Sequence, residues 1–220
     1  YSICRYNLKN ENNETLIDVE QQPYQINVVD NKIYYCTLGN TVVEYCIDTK
    51  ETKNLAYEEY TLERLQYFDG ALYYHSCFVT NKANAKTLVK KIDLTTYEVE
   101  TVFDFVEVYE HPKEYEIHGI KLFSLNVTEN EIFFSGRLRM KGEQEDELGA
   151  FIYDRNTHKI QRIECVDTID LMSMATYVTD DAIFYMKSVD IDNENKITVL
   201  DHYGNNISDH YHGLYVGIEE

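Results

Sequence analysis

Four stretches of the chain set a turn-forming acid or amide just ahead of an aliphatic residue and two aromatics. They are Asp30-Asn31-Lys32-Ile33-Tyr34-Tyr35, Asp69-Gly70-Ala71-Leu72-Tyr73-Tyr74, Glu129-Asn130-Glu131-Ile132-Phe133-Phe134 and Asp180-Asp181-Ala182-Ile183-Phe184-Tyr185. A polar reversal leading at once into aliphatic and aromatic residues predicts a tight turn followed by a buried strand. A second polar turn follows each one: Tyr45-Cys46-Ile47-Asp48-Thr49, Ile92-Asp93-Leu94-Thr95-Thr96, Tyr153-Asp154-Arg155-Asn156-Thr157 and Leu200-Asp201-His202-Tyr203-Gly204. The two half-motifs recur in the same order, so the chain is built of repeats.

Alternation around these turns predicts four strands per unit, A to D. They fall near 24–29, 33–38, 41–47 and 52–55 in the first full unit, and near 62–68, 71–79, 86–94 and 97–103 in the second. The third unit has them near 121–127, 131–139, 149–154 and 159–163, and the fourth near 174–178, 182–188, 196–201 and 207–211. The anchors Ile33, Leu72, Ile132 and Ile183 stand 39, 60 and 51 residues apart, close to the roughly 40–50 residues of a propeller blade with variable loops. The predicted class is therefore all-β, a β-propeller of four-stranded antiparallel blades. A single propeller domain over 1–220 is expected, with blades at 20–58, 59–106, 117–168 and 172–212. Residues 1–19 read as a partial terminal blade and 213–220 as an extra strand, which suggests a segment of a longer chain.

Composition narrows the partners. With 20 Lys+Arg against 39 Asp+Glu, the net charge of -19 at pH 7 repels phosphate backbones, so nucleic acid is not an expected partner. No run approaches the roughly 18 apolar residues of a membrane helix, and no transmembrane segment is expected. The five cysteines, Cys4, Cys36, Cys46, Cys77 and Cys165, form no C-x-x-C pair and read as buried thiols, which suits a reducing compartment.

The Ile33-Tyr34-Tyr35 type of B strand, followed by turns such as Tyr6-Asn7-Leu8 and Ile92-Asp93-Leu94, resembles the bacterial propeller domains similar to those of low-density lipoprotein receptor-related proteins. The receptor version carries Tyr-Trp-Thr-Asp, whereas this chain has Tyr34-Tyr35-Cys36-Thr37 and no Trp, so receptor ligand recognition does not carry over. The resemblance implies a six-bladed propeller, often on a bacterial cell surface, with no established reaction. Its implied location thus differs from the cytoplasmic one favoured by the free cysteines.

In such blades the A-to-B and C-to-D turns share one face, and the B-to-C and D-to-A connections share the other. The second face carries the longer segments 80–85, 104–119, 140–148 and 189–195, and long loops on a rigid scaffold are where binding usually resides. Within 104–119 lie Glu107, Tyr109, Glu110, His111, Glu114, Tyr115, Glu116 and His118. Tyr109, His111, Tyr115 and His118 are the candidate ligand-binding residues, and exposed Tyr109 and Tyr115 would form an aromatic patch. Asp190, Asp192 and Glu194, with Asp201 at a twelfth position, approach a calcium loop, but Asn195 stands where its glycine belongs. No cofactor is otherwise expected.

No G-x-S-x-G elbow or phosphate-cradling glycine loop occurs. The expected function is therefore a non-enzymatic binding module that presents its long-loop face to a protein or carbohydrate ligand. A hydrolase or lyase with carboxylates in the axial channel and a structural segment of a larger surface protein are the alternatives.

Overall fold

Each repeated polar reversal closes an antiparallel strand pair. The computed structural model describes residues 1–38, 40–78, 86–113, 116–141, 146–163, 177–179, 181–187, 196–205 and 207–208. A hairpin of β1 (Ser2–Asn7) and β2 (Asn12–Asp18) comes first. The first four-stranded sheet contains β3 (Pro23–Val29), β4 (Lys32–Thr37), β5 (Thr41–Cys46) and β6 (Thr52–Tyr57), hydrogen-bonded in chain order. The second contains β7 (Thr61–Phe68), β8 (Ala71–Phe78), β9 (Lys86–Asp93) and β10 (Val99–Asp104). After the one-turn helix α1 (Phe105–Val108), β11 (Ile117–Val127), β12 (Glu131–Met140), β13 (Glu147–Asp154) and β14 (Lys159–Ile163) form the third. The last described sheet is β15 (Tyr177–Val178), β16 (Ile183–Lys187) and β17 (Lys196–Leu200). This is an all-β chain of propeller-type blades.

Departures from the sequence reading are local. The third A strand begins at Ile117 because Ile117 pairs with Met140, and Lys141 N donates to Glu116 O. Residues 105–108, at the start of the long connection 104–119, are helical. Of the fourth D strand at 207–211, Ile207 N bonds Val199 O; residues 209–211 and the extra strand at 213–220 lie outside the described residues. So do the expected A-strand residues 174–176.

Hydrogen bonds explain why the two half-motifs travel together. The backbone N–H of Ile47, Leu94 and Arg155, in the C-to-D turns, donates to the carbonyl of Asn31, Gly70 and Asn130, in the A-to-B turns. In three blades the C-to-D turn is itself held by an aspartate. Asp93 Oδ1 accepts from Thr95 N and Thr96 N, Asp154 Oδ1 from Asn156 N and Thr157 N, and Asp201 Oδ1 from Tyr203 N and Asn205 N. These backbone donors hold the Asp93 and Asp154 carboxyls below their ordinary range, and the Asn205 side chain first, then the backbone donors, do the same for Asp201.

In the first blade Cys46 occupies that aspartate position, and bonding from Thr49 lowers its thiol pKa. Burial instead pushes up the Cys36 thiol. The expectation of uniformly buried thiols thus fails at Cys4, which is exposed, and at Cys46, which is half-buried, while Cys36 and Cys77 are buried. Iodoacetamide at pH 7 is expected to alkylate Cys46 at least about tenfold faster than Cys36, because thiolate fraction and access both favour it; peptide mass spectrometry reads the ratio, and equal rates would contradict the assignment.

The chain divides into two compact units, one of Tyr1–Phe78 with Lys86–Asp104 and the other running on from Phe105. In the first unit, side chains alternate across β4. Ile33 and Tyr35 pack with Ile3, Val43 and Tyr45 against the hairpin, whereas Tyr34 and Cys36 pack with Leu62, Leu72, Tyr74 and Ile92 of the second sheet. Burying each such large side chain stabilises by roughly 1.5–3 kcal/mol.

The innermost strands β3 and β7 are stitched by side chains. Tyr24 OH donates to Leu62 O (2.6 Å), Asn27 Nδ2 donates to Leu65 O (3.1 Å), Asn27 Oδ1 accepts from Tyr67 N (3.0 Å), and Gln25 Oε1 accepts from Leu65 N. Gln25 reaches across from a β-bulge at φ 55°, and Arg64 repeats that bulge in β7 at φ 60°.

In the second unit, Phe133, Ala150, Ile152 and Ile163 pack on Val178, Ile183 and Leu200 of the last sheet. Phe134 and Phe151, cross-strand partners stacked at 5.5 Å, receive Phe105 edge-on at 5.8 and 5.3 Å. No helix among the described residues is long and apolar enough to cross a membrane.

Candidate functional site

The connector after β10 positions the site through packing. Phe105 of α1 stacks on Tyr109 (4.9 Å), and Tyr109 lies edge-on to Phe151 (5.1 Å). This anchors the backbone just before His111. Two strand ends of the third sheet converge there: the start of β13 with Glu147 and Leu148, and the end of β14 with Arg162. Both belong to the face bearing the long connections.

His111 Nδ1 accepts from Lys113 N at 3.1 Å, so the ring proton sits on Nε2, which faces Glu147 Oε2 at 3.3 Å. The His111 side chain is 2% exposed. Arg162 donates through Nη1 to the same Glu147 oxygen (2.8 Å) and through Nη2 to Leu148 O (3.1 Å). Lys113 Nζ stands 3.9 Å from Glu147 Oε1. Burial alone would raise the Glu147 pKa, but bonding from Arg162 and His111 outweighs it and holds the carboxyl below its ordinary value. A pocket of about 400 Å³ opens here, lined by His111, Pro112, Lys113, Glu147, Leu148 and Arg162.

This arrangement offers a fixed set of donors and acceptors. Both His111 nitrogens are engaged in bonds that set its tautomer. Glu147, acceptor-only when ionised, takes one prong of Arg162, whose other prong is held by Leu148 O.

The sequence-predicted residues fare differently. His111 is in the pocket. Tyr109 is 6% exposed; it supports the connector from beneath and is not available to the exposed aromatic patch expected of it, because its ring is needed to fill the space over Phe151. His118 is half-buried in β11. Tyr115, Asp190, Asp192 and Glu194 lie outside the described residues. Both Asp201 oxygens are used within its own turn, Oδ2 accepting from Asn205 Nδ2 at 2.8 Å. Among the described residues, no group of three or more His, Cys, Asp or Glu is arranged to hold a metal ion.

Sequence reasoning missed Glu147 and Arg162. Their only signal was strand-end position, since β13 and β14 open and close on the long-loop face. It also missed His75, fully buried in β8 opposite Glu63, with neither ring nitrogen hydrogen-bonded among the described residues. Burial first, and then the Arg64 charge, push its pKa down to about 3, so it is neutral at physiological pH.

No protein-family model matches the chain, and no curated protein matches it in sequence. Solved structures do match its fold. A TolB from Acinetobacter baumannii is similar at a TM-score of 0.62 and 10% identity, covering 94% of this chain and 48% of that one. An oligogalacturonate lyase in complex with manganese is similar at 0.60 and 11%, covering 90% and 53%. The N-terminal domain of Nup159 follows at 0.54 and 14%, covering 92% and 56%. The chain spans about half the length of these structures, and at such identities the likeness shows the β-propeller fold alone.

Proposed function

We propose that the chain is a binding module whose long-loop face engages a protein or glycan at the pocket formed by His111, Lys113, Glu147, Leu148 and Arg162. One observation carries this reading. The polar groups of the pocket hold one another in place, giving a preorganised set of hydrogen-bonding groups of the kind that fixes a ligand's orientation. Propeller neighbours include both binding proteins and enzymes, so the fold is compatible with either role. An axial acid-base site would need carboxylates from several inner strands, and Glu63 is the one carboxylate on the A strands among the described residues. Binding is therefore favoured over hydrolysis or elimination.

The test is titration of the chain with an acidic oligosaccharide (oligogalacturonate), a neutral oligosaccharide and a basic peptide by calorimetry. Saturable binding of at least one is expected. Arg162→Ala should weaken it about tenfold or more, equivalent to about 1.4 kcal/mol, with the fold retained by circular dichroism. Binding that is unchanged in Arg162→Ala would remove the pocket from the account.

A further inference from the structure

At the tight-turn ends of the third and fourth blades, one side chain bridges the two. His202, in the turn after β17, faces Glu131 Oε2 at the start of β12 with Nδ1, and Thr179 O with Nε2 at 2.9 Å. A neutral imidazole carries one N–H, while a carbonyl and a carboxylate both require a donor. Two protons are therefore needed across the ring and the carboxylate. Imidazole is the stronger base of the two side chains, so these contacts require the second proton to sit on His202.

The internal repeat supports this assignment independently. Arg155 occupies the position of His202 in the preceding blade, and its guanidinium donates to Thr128 O (2.7 Å) and Glu129 O (3.0 Å) of the matching A-to-B turn. Thr128 and Thr179 are equivalent, each donating through its backbone N–H to the carbonyl three residues on, Glu131 O and Ala182 O. The third blade thus uses a permanent cation where the fourth uses a titratable one, and His202 also reaches back to the neighbouring blade.

We infer that His202 and Glu131 form a proton-operated clasp between the third and fourth blades, closed while His202 is protonated and released when it loses its proton. The charged groups around it favour the cation. Asp154 and Lys159 face the adjoining cleft of about 670 Å³ from the third blade, Asp181 and Asp201 from the fourth, so three further carboxylates stand against one ammonium. The His202 side chain is 14% exposed and that of Glu131 27%, which limits screening by solvent. Release leaves Glu131 without its imidazolium partner in a cleft where carboxylates outnumber ammonium groups. Because the folded state holds the proton more tightly than the unfolded chain, the clasp's stabilisation is complete below the ordinary histidine pKa and is lost as pH rises through the folded value.

The experiment is an NMR titration of the histidine rings between about pH 5 and 9 in the wild type and Glu131→Gln. The expected result is a His202 midpoint about one unit or more above the ordinary value of about 6.5, falling back towards it in Glu131→Gln. Thermal unfolding of wild type and His202→Arg, scanned over the same range, adds a second readout: the wild type should lose stability through the His202 midpoint, and His202→Arg should lack that step. A wild-type midpoint at or below about 6.5, or the same step in His202→Arg, would overturn the clasp.

Discussion

Replacing Glu58 with alanine is expected to lower stability by about 3–5 kcal/mol, the cost of stranding a buried charge and its donors. Glu58 is 7% exposed and sits in the connection between the first and second blades, where its backbone N–H bonds Asn40 O. Its carboxylate accepts from Tyr74 OH (2.7 Å), Ser76 Oγ (3.0 Å) and Lys90 Nζ, which lies 2.8 Å from both oxygens. Tyr74 and Ser76 are 0% and 1% exposed, so water does not replace the lost acceptor. Burial, and then Glu58 itself, push up the Tyr74 pKa and keep it a donor. For a chain of this size the loss corresponds to a fall of roughly 10 °C in the unfolding temperature. A double change, Glu58→Leu with Lys90→Met, should recover part of it, since no charge is then left unpaired. Calorimetric unfolding of the three proteins measures both effects, and a shift below about 1 kcal/mol in Glu58→Ala would show that the cluster is hydrated.

The second large effect is expected at Asn27. Its side-chain amide acts as a surrogate peptide for β7, giving a hydrogen to Leu65 O and accepting one from Tyr67 N. Leucine has nearly the same shape and neither function. With two backbone groups left unsatisfied, Asn27→Leu is expected to cost about 2–5 kcal/mol, and amide exchange at Tyr67 should quicken by at least about tenfold as the edge of β7 opens. If exchange at Tyr67 is unchanged while stability falls, the loss comes from elsewhere in the blade. An equivalent amide position recurs at Gln66 and Asn126, which lie opposite Tyr73 and Phe133 as Asn27 lies opposite Tyr34.

The repeat was legible because its two half-motifs are bonded to each other. A turn that supplies Asn31 O, Gly70 O or Asn130 O must be matched by a turn that supplies the N–H of Ile47, Leu94 or Arg155, and that constraint survives as a pattern of residue types. Period-two alternation located the strands for the same reason, since Tyr34 and Tyr35 must face different neighbours. The connector was less legible. Tyr109 looks like a surface aromatic in a stretch of glutamates, and only packing of α1 on Phe134 and Phe151 turns it inward. The site was half-legible. His111 stands out by residue type, whereas Glu147 and Arg162 are ordinary strand residues until the pairing of β13 with β14 brings their side chains to one corner. Cys46 was misread because its equivalence to Asp93 and Asp154 is one of hydrogen-bonding role, which apolar neighbours in sequence conceal.

The central claim is that the pocket beside His111 is where this propeller binds. The measurement that tests it most directly is a two-dimensional amide NMR titration with the same oligogalacturonate, neutral oligosaccharide and basic peptide. Saturable shifts gathered on His111, Lys113, Glu147, Leu148 and Arg162, and lost in Arg162→Ala, are the predicted result. Shifts gathered instead on the tight-turn face, or no saturable shift with any of the three, would contradict it.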